Sequence, residues 1–293
     1  MVDVAERFAA ELMDRPDDNN KKRENNRRLA INDIAEARAL GCKPFWLTYN
    51  CDWRGRVYGI PHFNYMRQDH VRAMFRFENG MALGKDSLRW LEINCANCAG
   101  QDKERFKDRR KWVSDNRKEI EAVAADPFTA AKLWHDKDEP FRYVAACREL
   151  AAAWRKPGTF VTHLPIPFDG SCNGLQHLSL LSRDKESGAR VNLAACDKPR
   201  DIYTDIAVRV RELIERDETA GAADWQDAFK RMDDKKIKIR KLIKQPAMTY
   251  AYGATDYRWG KQLKKKYEKD IFPGANHVPN CFYLAKKDSR GSG

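Results

Sequence analysis

The sequence predicts a helix-rich α/β (α+β) fold, on three observations. Long segments carry the 3.6-residue apolar period of helices. Two shorter runs, near 43–61 and 160–174, hold the aromatic and β-branched residues and turn formers of strands. The 293 residues are 42% apolar and 11% aromatic, enough for one large core or two modest ones.

Residues 4–15 and about 26–40 have helical periodicity, and the polar run RPDDNNKKRENNRR between them reads as a solvated loop. At Lys43 the character changes, and KPFWLTYNCDWRGRVYGI reads as strand and turn ending near Pro61. A mixed-charge helical stretch covers about 102–155. FVTHLPIPFDGSCNG then reads as strand with a tight turn at Gly170, and LQHLSLLSR as helix. Residues 200–217 place Ile202, Ile206, Val210 and Ile214 on one helix face. TAGAADW reads as loop, and 225–252 as one or two helices with a basic face. Beyond Gly253, KQLKKKYEKD reads as a Lys-rich helix and DSRGSG as a frayed end.

The net charge of +12 favours an anionic partner, most simply nucleic acid. No apolar run is long enough to span a membrane. The acidic, amphipathic start MVDVAERFAAELMDR is unlike a secretory signal. The eight cysteines are scattered and read as reduced thiols. Cys95 and Cys98 form a C-x-x-C pair with no second pair at zinc spacing, so packing is favoured over metal binding.

Four groups of residues point to chemistry. Asp169, in FDGSCNG, follows an apolar run. There it either holds a divalent cation beside Gly170 or caps the next helix. Arg240 and Lys244 lie one helical turn apart, about 40° round the axis. They form either a triphosphate grip or a solvated basic face. Tyr252-Gly253 at the helix end offers a ring and an open space to a base and sugar. Pro246 requires this helix to kink or to start late. Arg54 and Arg56 flank Gly55 in DWRGR, as phosphate contacts or as surface Arg on a turn. Lys103 alone reads as a solvated Lys on a surface helix.

Taken in order, these motifs resemble the single-subunit, phage-type RNA polymerases of phages and mitochondria. FWLTYNCDWRGRVY resembles that family's strand-turn element, DGSCNGLQHLS its first palm motif, and RKLIKQPAMTYAYG its fingers helix. The resemblance runs from about Pro44 to about Lys264. It implies a partial palm-and-fingers polymerase core: 1–43 a helical lead-in, 44–197 palm, 198–280 fingers, 281–293 a flexible tail. It implies nucleotidyl transfer from NTPs to an RNA 3′ end on a DNA template, with two Mg²⁺ ions in the complete enzyme. Asp169 and the Gly170 carbonyl would bind metal. Lys103, Arg240 and Lys244 would hold the triphosphate. Tyr252 would sense the ribose and Gly253 would admit the template base. Arg54 and Arg56 would touch nucleic acid.

The family's second catalytic Asp lies in a His-Asp-Ser element, and the 293 residues contain none. The chain is therefore expected to be a fragment, inactive alone, with a C-terminal piece in trans as a further partner. The other readings are a non-catalytic nucleic-acid-binding remnant and a family A DNA polymerase fragment. The latter family shares the Arg-Lys…Tyr-Gly helix but typically carries Tyr and Glu after its palm Asp, where Gly-Ser-Cys stands here. The cytoplasm of a phage-infected cell is the expected location, ahead of the mitochondrion.

Overall fold

The computed structural model describes residues 1–13, 19–84, 86–234, 239–250, 253–255, 257–258 and 260–261. The chain forms two compact units, Met1–Phe168 and Asp169–Gly293. The segment expected as palm, 44–197, is thus divided between them.

In the first unit α1 (Val2–Met13) lies against α2 (Asn20–Leu40). Here the expected loop is partly overturned. Asn19 caps α2 by accepting from the backbone N–H of Lys22, so the helix begins inside the polar run. Lys, Arg and Glu are good helix formers, and the Glu24–Arg28 pair supports the turn. Burial does not drive this start, so the polar pattern hid it.

The 43–61 run folds as expected into an antiparallel hairpin of β1 (Tyr49–Cys51) and β2 (Val57–Gly59). The helical stretch after 102 is broken into α5 (Phe106–Asp115), α6 (Arg117–Ala125), α7 (Ala131–Trp134) and α8 (Pro140–Arg155). With α4 (Leu88–Cys98), α5 to α8 surround a core holding Leu91, Ile120, Trp134, Tyr143 and Leu150. Helix α8 is its axis, packing on α4, on α6 and on the short α3 (Asp69–Arg72). Cys95 and Cys98 are fully buried in this core as packing residues.

The strand expected through 160–168 is nearly absent. Only β4 (Val161–Thr162) pairs, with β3 (Met81–Ala82). Pro165 and Pro167 supply no N–H for a ladder. Leu164 and Ile166 still pack on the core, but without strand pairing.

In the second unit α9 (Asn173–Leu181) and α10 (Lys185–Arg190) precede α11 (Ile202–Glu215). Ile206, Val210 and Ile214 of α11 are buried as its period requires. TAGAADW is a helix start rather than a loop: α12 (Ala220–Asp234) begins inside it. Alanine favours helix, and Ala222 and Trp225 are buried. Helix α13 (Arg240–Tyr250) packs against α11 and carries Pro246 in its interior. Pro246 stands six residues past Arg240, so the late start does not bring it into the first turn, and it supplies no N–H for the Leu242 carbonyl. The Lys-rich segment past 261 and the tail lie outside the described residues.

Candidate nucleotide and nucleic-acid site

In the second unit the turn 169–172 enters α9. The Gly170 backbone N–H donates to Asp169 Oδ1 at 2.8 Å, and the Asp169 side chain is exposed. A Cβ on Gly170 would lie 2.1 Å from Asn173 Oδ1, so a larger residue there would have to displace the Asn173 side chain. Cys172, at φ 48°, is the N-cap of α9, and no side chain caps it. Asp169 therefore does not serve as helix cap. Its carboxylate makes no ion pair among the described residues. It also stands in an exposed turn rather than at the end of a buried strand, because the proline run before it cannot pair.

Cys172 and Leu175 pack on the core formed by α11, α12 and α13, which includes Leu242, Ile243 and Ala247. Burial raises the Cys172 thiol, and the charge of Asp201 raises it further. The turn carrying Asp169 and the helix carrying Arg240 and Lys244 are thus fixed on one core.

On α13 the apolar residues Leu242, Ile243 and Ala247 point inward, while Lys244 and Met248 are exposed. Lys244 makes no ion pair among the described residues. Arg240 does: its Nε donates to Asp201 Oδ2, and its Nη2 donates to Oδ1 at 3.2 Å. Its guanidinium carbon lies 5.7 Å from the centre of the Tyr203 ring. Burial works to raise the Asp201 carboxyl. Hydrogen bonds from Arg240 and Thr204, with the Arg240 charge, hold it below its ordinary value. Gly253 has φ +75°, and the Ala254 N–H donates to the Thr249 carbonyl at 3.2 Å, closing the helix with a left-handed residue. Among the described residues, its chain neighbours aside, no atom lies within 4 Å of where a Gly253 Cβ would be. Tyr252 lies outside the described residues.

In the first unit Lys103 sits in a loop between α4 and α5, not on a helix, and pairs with Asp102. Arg109 holds that loop through Glu104 O at 2.8 Å, Asp102 O at 2.7 Å and Asn97 Oδ1 at 2.9 Å. At the hairpin tip Asp52 Oδ1 accepts from the backbone N–H groups of Arg54 and Arg56, and Gly55 turns the chain at φ +73°. Slight burial pushes the Asp52 carboxyl up. The hydrogen bonds from the Arg54 side chain and from the Arg56 and Arg54 backbones override it and hold it low. The Arg54 side chain bonds Asp52 and the Tyr58 hydroxyl, whereas the Arg56 guanidinium is exposed and has no such bond among the described residues. Trp53 beside them is 93% exposed.

Asp201, Arg109 and Asp52 were not singled out from sequence. Asp201 was legible only as a polar residue before a helix. Arg109 was one of many Arg and Lys in a mixed-charge stretch.

The family model for DNA-dependent RNA polymerase matches residues 81–290. The chain is 37% identical over 243 residues to the mitochondrial DNA-directed RNA polymerase of Mus musculus, covering 81% of this chain and 20% of that one. It is 37% identical over 227 residues to a chloroplastic/mitochondrial polymerase of Nicotiana sylvestris, covering 76% and 22%. To the mitochondrial enzyme of Neurospora crassa it is 38% identical over 235 residues, covering 79% and 16%. The fold and the motif order define a partial core of the phage-type polymerase class. The chain belongs to the single-subunit, phage-type DNA-dependent RNA polymerase family. It spans about a fifth of the length of these curated relatives. Membership separates it from the family A DNA polymerases. The relatives are named for mitochondria and chloroplasts, which overturns the expectation of a phage-infected cytoplasm. No helix among the described residues is long and apolar enough to cross a membrane.

Proposed function

We propose that this chain contributes the first metal carboxylate and the nucleotide-gripping helix of a DNA-directed RNA polymerase that adds NTPs to an RNA 3′ end on a DNA template. The palm reading covers 44–197 and the fingers reading 198–280. The observation that carries it is the pairing, on one core, of an exposed Asp169 that caps nothing with an exposed Lys244 one turn after Arg240. A solvated basic face needs no such neighbour. The named relatives point to an organelle as its compartment.

Asp169 fits a divalent cation, since it stands in an exposed turn with its carboxylate open to solvent. The Gly170 carbonyl would stand beside it. By the family resemblance Asp169 would be one of two metal-binding carboxylates; among the described residues no group of three or more His, Cys, Asp or Glu could hold a metal ion by itself. Two Mg²⁺ ions, when bound, stabilise the attacking and leaving oxygens of the phosphoryl transfer. The chain's own residues do the positioning. Arg240 grips phosphate oxygens as a fork and Lys244 as a point charge. Lys103 adds a further phosphate contact. By the family resemblance Tyr252 would meet the ribose, and Gly253 would leave room for the template base. Arg54 and Arg56 hold the hybrid or template, with Arg56 the freer of the two.

Equilibrium binding of ATP and of inorganic tripolyphosphate to the 293-residue chain, with and without Mg²⁺, tests the reading. Both should bind, more tightly with Mg²⁺, and Asp169→Asn should remove the Mg²⁺ dependence. Binding indifferent to Mg²⁺ in the unaltered chain sinks the assignment of Asp169.

A further inference from the structure

We propose that Asp201 is a positioning residue for the triphosphate, holding the Arg240 guanidinium by one edge so that its other edge faces the ligand. The inference rests on reading Arg240 as a phosphate-gripping residue.

The hold is directional. Asp201 takes the Nε proton and one proton from Nη2. A guanidinium has five N–H donors, so both protons on Nη1 and the second on Nη2 remain for a phosphate. The carboxylate and the ligand therefore use different edges and do not compete for the same protons.

Asp201 is itself fixed. Thr204 Oγ1 donates to its Oδ2 at 3.0 Å. The residue before it is tied at both backbone groups to Asn192: the Arg200 N–H donates to Asn192 Oδ1 at 2.7 Å, and Asn192 Nδ2 donates to the Arg200 carbonyl at 2.8 Å. Tyr203, buried on the same helix, flanks the guanidinium. The Arg240 and Asp201 side chains are only 25% and 27% exposed. Among the described residues Lys244 has no comparable clamp.

Two physical consequences follow. A free Arg loses rotamer freedom on binding, and a clamped one has already lost it. The Asp201 charge also offsets Arg240 while the site holds no anion, which lowers its repulsion with Lys244 one turn away.

The test is a double-mutant cycle on the 293-residue chain, using Asp201→Asn and Arg240→Ala with ATP and tripolyphosphate as probes. Asn keeps the helix-start preference of α11 but has one acceptor oxygen and no charge. Asp201→Asn should weaken both probes by roughly three- to tenfold. In the Arg240→Ala background it should change them by less than about twofold. Asp201→Glu should bind more tightly than Asp201→Asn, and thermal melting should show each variant folded. The proposal is overturned if folded Asp201→Asn binds both probes as the unaltered chain does. It is equally overturned if the loss persists without Arg240, or appears with ATP and not with tripolyphosphate. If Arg240→Ala leaves tripolyphosphate binding unchanged, or tripolyphosphate does not bind at all, the phosphate reading of Arg240 falls and this inference with it. Failure of Asp201→Asn alone removes only the positioning role.

Discussion

Asp69 caps the N-terminus of α8 from 72 residues away: its Oδ2 accepts the Phe141 backbone N–H at 2.6 Å. Its Oδ1 accepts that of Arg142 at 3.3 Å. The core of the first unit is built around this helix, so a long-range cap fixes where its axis begins. Burial raises the Asp69 carboxyl to about 6, against the pull of those N–H groups and of the Arg142 charge.

A folded pKa of about 6 above an unfolded 3.8 sets a sign. The group favours folding below pH 4, and that contribution is lost as pH rises through 6. Asp69→Asn cannot titrate. Urea midpoints of the unaltered chain, compared with those of Asp69→Asn, should fall as pH rises from 4 to 7. The change should be at most on the order of 3 kcal/mol. A rise over the same window would mean that the N–H bonds outweigh burial.

Lys244 is exposed and makes no ion pair among the described residues, so its removal should leave the fold intact. Lys244→Ala is expected to weaken ATP binding by roughly 1.5–3 kcal/mol, the range for a hydrogen bond to a charged group. Its melting temperature should stay within about a degree of the unaltered chain. A nucleoside without phosphates should not distinguish the two. Equal loss for both ligands would instead report damage to α13.

The hairpin separates two arginines that the sequence presents as equals. Arg54 is spoken for by Asp52 and Tyr58, while the Arg56 guanidinium is exposed without such a bond among the described residues. Affinity for a primer–template should fall steeply with salt, given the +12 charge. Arg56→Ala should lower the salt slope by about 1, and Arg54→Ala by less. A flat salt response in the unaltered chain would remove the nucleic-acid reading of the basic surface.

Periodic burial made much of the fold legible. Ile206, Val210 and Ile214 recur every four residues and are buried on α11. The hairpin at 49–59 was marked by strand and turn composition instead, since its strand residues are largely exposed. Elements not built on burial were hidden. The first turns of α2 rest on the Asn19 cap and helix propensity, and α12 begins in an alanine-rich stretch that resembles a loop. For the site, residue order named Asp169, Arg240 and Lys244. The partners that orient such groups are set by the fold, because Asp201 and Arg240 are 39 residues apart. Nothing local marks one Asp among many as the carboxylate an Arg will meet.

The last expectation concerns turnover. A two-metal centre needs carboxylates that bridge cations about 3.5–4 Å apart. Asp169 supplies one arm, and the 293 residues hold no His-Asp-Ser element for the other. One carboxylate leaves a pair of divalent charges poorly compensated, so a polypeptide of these residues should hold that pair weakly. Losing a group that stabilises transition-state charge commonly costs orders of magnitude in rate. With Mg²⁺, NTPs and a primed template, the isolated 293-residue polypeptide should therefore show no measurable RNA extension. A second polypeptide carrying the family's C-terminal palm element should restore extension where the two dock, and Asp169→Asn should abolish it again. Robust extension by the isolated polypeptide, lost in Asp169→Asn, would show that another carboxylate of this chain completes the centre. Asp256 and Asp270, after the fingers helix, would be the first to replace.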